Sequence, residues 1–361
     1  MYRTLFSVIA ISTFLGGCAV KLPQTTSAES DVLGEPLQLT TGYTRAGEAY
    51  FSHDSKWLVF QATEPGEQHY QMYMAKVKYQ NKAIVGLEPA VRVSPEQSRN
   101  TCGWFSPDNT TLLFASTAGK EDPSESTPGY QRQGSRYQWA YPKGMEIYAM
   151  PLGDSAGSTS PARFTAEAMA GKRLTDNDAY DAECAYSPDG RQIVFTSNRT
   201  GDLELFVMHS DGSNVRQLTT TKGYDGGPFF SNDGQRLVYR SDRQGNDLLQ
   251  VFVADVVRDG NGYVTAITNE RQLTTGADVN WGPYFHPNGA IVFYASSKVA
   301  HTNYEIFAVP TAGGEPVRIT YTAGADVLPV VSPDGRYLLW SAKRSADNTT
   351  QLYVAPLKLK K

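Results

Sequence analysis

Cysteine and histidine are scarce in this chain. Its 361 residues hold three cysteines and five histidines, too few for the disulfide framework that staples small secreted domains. The histidines (His53, His69, His209, His286 and His301) are scattered, and no two stand at zinc-ligand spacing. Charge is sparse as well: 19% of residues are charged and the formal net charge is −4. A basic surface tracking phosphates is excluded, and with it nucleic acid as a partner. Beyond the N-terminus no apolar run is long enough to span a bilayer. No strand–turn–helix nucleophile elbow appears. The sequence therefore offers no catalytic residue and no protein metal ligand, and the expected protein is not an enzyme.

Glycine (32), proline (20) and tyrosine (21) are plentiful instead, a composition suited to many turns and short strands. One phrase recurs six times: Phe51-Ser52-His53-Asp54-Ser55, Phe105-Ser106-Pro107-Asp108-Asn109, Tyr186-Ser187-Pro188-Asp189-Gly190, Phe230-Ser231-Asn232-Asp233-Gly234, Phe285-His286-Pro287-Asn288-Gly289 and Val331-Ser332-Pro333-Asp334-Gly335. Each joins two apolar stretches through a tight turn. Repeats of this length specify a closed array rather than a conventional core.

The repeat at 176–219 shows the unit. Asp181 to Tyr186 and Gln192 to Ser197 read as strands around the Ser187 turn. Glu204 to Met208 is a third strand, and Val215 to Thr219 a fourth, after an Asp211-Gly212 hairpin turn. Four antiparallel strands make one propeller blade. Two residues before the central aromatic of each third strand stands a polar residue: Gln71, Glu146, Glu204, Gln250, Glu305 or Gln351. This is expected to be a repeated structural hydrogen bond.

Five repeats end on a phrase such as Gln217-Leu218-Thr219, and the sixth does not. Its counterpart, Gln38-Leu39-Thr40, stands ahead of the first repeat. The expected fold is all-β: a six-bladed β-propeller of four-stranded blades, closed by an N-terminal strand in the last blade. Closure removes an open sheet edge. The expected limits are a propeller over 36–361, with blade-two inserts near 118–144 and 153–171.

The order Asp-x-x-Pro, Ser-Pro-Asp-Gly, Ser-x-Arg-x-Gly, aromatic strand, Leu-Thr resembles the WD-like repeats of the TolB propeller. Asp326-Val327-Leu328-Pro329 before Ser332-Pro333-Asp334-Gly335 is an example. The resemblance covers roughly residues 36–357, and blades one and two are degenerate. It implies a TolB-like lipoprotein propeller, although the chain lacks room for the N-terminal α/β domain of TolB. It further implies a module that binds a periplasmic or outer-membrane protein. The alternative is a polysaccharide- or oligosaccharide-binding, or lyase-like, propeller.

At the N-terminus, Arg3 precedes an apolar run from Leu5 to Leu15, and then come Gly16-Gly17-Cys18. This has the order of a secretory signal. The small residues before Cys18 resemble the lipobox of bacterial lipoproteins. That implies a signal peptide at 1–17, acylation (palmitate included) at Cys18, and a lipid anchor in the bacterial envelope. Ala19 after the cysteine implies the outer membrane, facing the periplasm. Residues 18–35 are small and polar, as a flexible tether would be. A monomer is expected.

Two places suggest a binding surface. Three residues before the proline-equivalent position lie Asn100, Asp181, Asp225, Asn280 and Asp326. Propeller geometry would gather them into a polar ring at the channel mouth, suited to a divalent cation, a basic peptide or sugar hydroxyls. The other reading is that each side chain caps its own turn. The second place is the first insert, with Tyr130, Arg132, Arg136, Tyr137, Trp139 and Tyr141, a composition typical of binding hot spots. It would lie on the same face. Cys102 and Cys184 occupy nearly the same place in consecutive repeats and read as two buried thiols rather than a bridge.

Overall fold

The computed structural model describes residues 21–95, 98–120, 129–133, 136–152 and 171–359. Six sheets are arranged as blades, each running from an inner strand outward. The inner strands are Arg45–Phe51, Asn100–Phe105, Asp181–Tyr186, Asp225–Phe230, Asn280–Phe285 and Asp326–Val331. Each touches the next, and the sixth touches the first, so they form a closed ring. Second and third strands follow by antiparallel pairing, as in Gln192–Ser197 with Glu204–His209. No helix among the described residues is long and apolar enough to cross a membrane.

The recurring phrase is explained by one turn. Ser187 Oγ donates to Asp189 Oδ1 at 2.6 Å and accepts the backbone N–H of Gln192 at 3.0 Å. Ser52, Ser106, Ser231 and Ser332 repeat the arrangement with Asp54, Asp108, Asp233 and Asp334. His286 substitutes its ring: Nδ1 accepts the N–H of Asn288 at 3.2 Å.

Each blade is pinned by an aromatic pair placed directly opposite on its second and third strands. The pairs are Phe60–Tyr73, Phe114–Tyr148, Phe195–Phe206, Tyr239–Phe252, Tyr294–Phe307 and Trp340–Tyr353, stacked at 5.7–6.2 Å. Such pairs contribute about 0.5–1.5 kcal/mol each beyond their burial.

The polar residue of each third strand is a structural hub, as expected. The Ser94 hydroxyl donates to Gln71, Thr274 to Gln250, Thr320 to Glu305 and Thr40 to Gln351, at 2.6–2.9 Å. The same hydroxyls accept the next backbone N–H on the third strand, for example Leu352 N to Thr40 at 2.9 Å. This fixes the outer end of every blade and accounts for the Leu-Thr phrase.

Closure comes from the N-terminus: Leu37–Gln38 pairs with the third strand of blade six. The seal begins earlier than the sequence suggested. Leu33 bridges Leu357, and the N–H of Gly34 donates to Pro356 O at 2.7 Å. Val32 and Leu33 are 1% and 0% exposed. Glu29 accepts from both Arg344 Nη atoms at 2.8 and 2.9 Å. The stretch expected to be a flexible tether is therefore docked from Thr26 onward. Its polar look concealed two apolar anchors and a partly buried ion pair.

Every inner strand carries a β-bulge at one position. Glu48 (φ 44°), Cys102 (58°), Glu183 (55°), Gly227 (60°), Gly282 (59°) and Leu328 (55°) all adopt left-handed backbone there. The pairing register shifts at each. A left-handed conformation costs a non-glycine residue about 1–2 kcal/mol. Pro228, Pro283 and Pro329 follow the bulge residue in three blades, where an unpaired position tolerates the missing N–H.

Candidate binding cavity on the insert face

The bulges turn side chains into the centre of the ring. A cavity of about 470 Å³ lies there, walled chiefly by inner-strand residues and the loops leading into them. An aromatic cluster borders it. Trp104 lies 4.9 Å from Tyr50 and 5.2 Å from Phe229, and Phe229 lies 5.4 Å from Tyr284. These four sit at one repeat position, just before the turn phrase. Tyr180, Tyr224, Trp281 and Tyr304 contribute to the wall above them.

Three charged side chains occupy the middle. The Glu183 carboxylate accepts from Thr196 Oγ1 (2.8 Å), Tyr224 OH (2.8 Å) and Gly227 N–H (2.7 Å), and from the Arg240 guanidinium. It is a fully served acceptor with a counter-charge. Glu48 is served far less well, by long bonds of 3.3 Å from Tyr50 OH and Thr101 Oγ1. Burial pushes its carboxyl above the usual range, with the Cys102 hydrogen bond opposing and the Glu183 charge adding to the rise. Arg45 and Arg99 stand among the lining residues, and Arg45 lies over the Tyr70 ring at 4.7 Å.

Cys102 and Cys184 also line this space, both buried and both free. Burial raises the Cys184 thiol to about 12 and the Cys102 thiol well above its ordinary value, so neither is a ready thiolate.

The residues expected to ring the mouth are placed differently. Asn100 donates to Gln71 Oε1 and Asn280 to Gln250 Oε1, both at 2.9 Å. Asp181 accepts from Arg199 Nη2 at 2.6 Å, Asp225 is 3.5 Å from Arg243 Nη2, and Asp326 accepts from Arg344 Nε at 2.9 Å. All five are at most 4% exposed, and only Asn100 reaches the cavity lining. The two asparagines thus tie adjacent blades together and the three aspartates are engaged by arginines, so the five do not form a ligand-facing ring. An Asp is matched by an arginine from its own blade, whereas the two Asn blades carry Ala118 and Lys298 there.

The first insert forms a hairpin, Gly129–Gln133 with Arg136–Ala140. Its register sets Tyr130 opposite Trp139 and Arg132 opposite Tyr137, with Arg136 opposite Gln133. The insert then leads into the cavity wall through Tyr141 and Pro142. Tyr141 packs 4.9 Å from Tyr180 and 5.6 Å from Tyr224. Its hydroxyl is buried without a hydrogen-bond partner among the described residues. Cys18 and most of the second insert, 153–170, lie outside the described residues. Among those described, no group of three His, Cys, Asp or Glu side chains is placed to hold a metal.

Sequence reasoning missed Glu48, Glu183 and Arg240. The available signal was positional: Glu48 and Glu183 stand three residues before the apolar residue that opens the turn phrase.

Known proteins show the same architecture. Residues 185–272 match the TolB β-propeller domain. The putative TolB of Agrobacterium tumefaciens is 17% identical, with a TM-score of 0.53 over 86% of this chain and 90% of its own. TolB of Acinetobacter baumannii is also 17% identical, with a TM-score of 0.51 over 90% of this chain and 66% of that protein. An oligogalacturonate lyase of Vibrio parahaemolyticus aligns at 12% identity and a TM-score of 0.49, over 91% of each chain. Identities this low establish likeness of fold. The chain is a TolB-like six-bladed β-propeller.

Proposed function

We propose that this chain is a non-enzymatic binding module of the bacterial envelope, lipid-anchored through Cys18. Its insert-bearing face captures a periplasmic or outer-membrane protein. One observation supports the reading: the end of the insert, Tyr141 and Pro142, belongs to the cavity wall. The insert is rich in aromatic residues and arginine, the residue types in which binding energy concentrates. The lipobox-like leader and the TolB-domain match support the envelope setting. The cavity is also wide enough for a sugar ring, and aromatic walls suit one.

The test is capture from crosslinked envelopes with the intact protein and with a variant lacking residues 120–143. A specific protein retained by the first and lost by the second, with the β-sheet circular dichroism spectrum unchanged, is the expected result. Capture that survives the deletion removes the face from the account. Retention of saccharide in place of protein moves the account to a glycan-binding propeller.

A further inference from the structure

Glu48 presents an incomplete arrangement. It sits at the left-handed bulge of the first inner strand and lines the cavity. Its own N–H donates to Ser341 Oγ at 3.3 Å, and its carboxylate has the two long hydrogen bonds already described and the weak thiol donor of Cys102. The cation whose charge acts on it, Arg240, is already engaged by Glu183 and by Tyr224 OH. When Glu48 is ionised, Glu48, Glu183 and Arg240 together carry one net negative charge, and burial favours the neutral acid until a cation arrives beside it. A carboxylate held away from water is costly unless it is paired or neutralised.

We propose that Glu48 is the acceptor for a primary ammonium group entering the cavity, supplied by a lysine side chain of the bound protein segment. Three observations converge on this ligand. The charge deficit calls for one cation. The wall supplies rings of Tyr50, Tyr180, Tyr224, Tyr284 and Trp281, and aromatic surfaces favour an ammonium and cover its alkyl stem. The unpartnered Tyr141 hydroxyl adds a polar group at the wall. A primary ammonium carries three N–H donors, enough for the Glu48 oxygens and a tyrosine hydroxyl at once. Arg45 and Arg99 belong to the lining as well. An ammonium therefore finds its favourable site only at the depth of Glu48, and the incoming segment meets positive charge elsewhere.

This inference rests on the reading of the cavity as the docking site, and its test does not use the partner. The purified protein is titrated with Nα-acetyl-lysine methylamide and with Nα-acetyl-norleucine methylamide, which lacks the ammonium. Tryptophan fluorescence and melting temperature are followed. The lysine compound is expected to bind at least about tenfold more tightly, a difference of about 1.4 kcal/mol. Glu48→Gln is expected to reduce that ratio to about one without lowering the melting temperature, since it removes a buried charge and keeps the shape. Equal binding of the two compounds, binding of neither, or an unchanged preference in Glu48→Gln overturns the proposal. So does stabilisation by calcium that depends on Glu48. Partner capture that persists in Glu48→Gln would leave the docking face standing and remove the lysine.

Discussion

Glu204 on the third strand of blade three and Asp225 at the start of blade four are two buried carboxyl groups at one blade junction, near enough for the charge of Asp225 to act on Glu204, and neither Asp225 oxygen has a hydrogen-bond partner among the described residues. At the next junction the same two positions hold Gln250 and Asn280, joined by an amide hydrogen bond of 2.9 Å. Two buried carboxyl groups thus replace an amide pair, with Arg243 on the Asp225 side. Burial raises Glu204 to about 7 and Asp225 to about 6; the charges of Asp225 and Asp202 add to the rise of Glu204 and that of Glu270 to the rise of Asp225, while Arg243 opposes it in both.

A pH dependence of stability follows. Both folded-state values lie above the ordinary carboxylate range, so the folded protein binds more protons than the unfolded chain between about pH 4 and 7. Stability falls as pH rises through that window. The double variant Glu204→Gln, Asp225→Asn restores the amide pair and should lose less melting temperature between pH 5 and 7.5 than the wild type. Parallel melting curves for the two proteins would show that the junction does not store a proton.

The turn aspartates act in the opposite sense. Asp108 is lowered chiefly by its hydrogen bond from Ser106, and Asp189 by the Ser187 hydrogen bond and the Arg191 N–H against the opposing effect of burial. Their stabilisation is present above the ordinary carboxylate range and is lost as pH falls below it. Ser187→Ala removes both the bond to Asp189 and the acceptor for Gln192 N–H. It should cost about 1–3 kcal/mol, measured by urea denaturation at pH 7. A cost within error would mean that the turn phrase repeats for reasons other than this bond.

Closure is testable at Leu33, fully buried against the last blade. Leu33→Ala should cost about 2–5 kcal/mol, and Glu29→Ala should add to it by removing the clamp on Arg344, which then keeps Asp326 alone. Wild-type melting in both variants would mean that the ring closes through Leu37–Gln38 alone.

The thiols of Cys102 and Cys184 should resist alkylation by iodoacetamide at pH 8 in the folded protein and react fully in urea, read by mass of the peptides containing them. Rapid modification of native Cys102 would contradict its burial beside Glu48.

The fold was readable because it is written six times. The turn phrase, the third-strand polar residue and the Leu-Thr ending each correspond to a hydrogen bond repeated around the ring. Even the displaced Gln38-Leu39-Thr40 named its place, since Thr40 completes the hub at Gln351. The site was not readable in the same way. Alternation along a strand tells which side chains face inward, but one extra residue inverts that pattern. The bulges at Glu48, Cys102 and Glu183 therefore hid the cavity residues, and they made Asp181, Asp225 and Asp326 look like a ring around a mouth. Only the companion arginines, Arg199, Arg243 and Arg344, hinted that each aspartate was already engaged. The docked segment from Thr26 was missed because two apolar residues, Val32 and Leu33, decide its place.

The central claim is that the insert face, and not the turn face, meets a partner protein. A photo-crosslinking residue placed at Tyr141, in the cavity wall, and separately at Asp211, in the turn between the third and outer strands of blade three, tests it in intact cells. The account predicts a discrete protein adduct from position 141 and none from position 211. An adduct from 211 alone, or the same adduct from both, would contradict it.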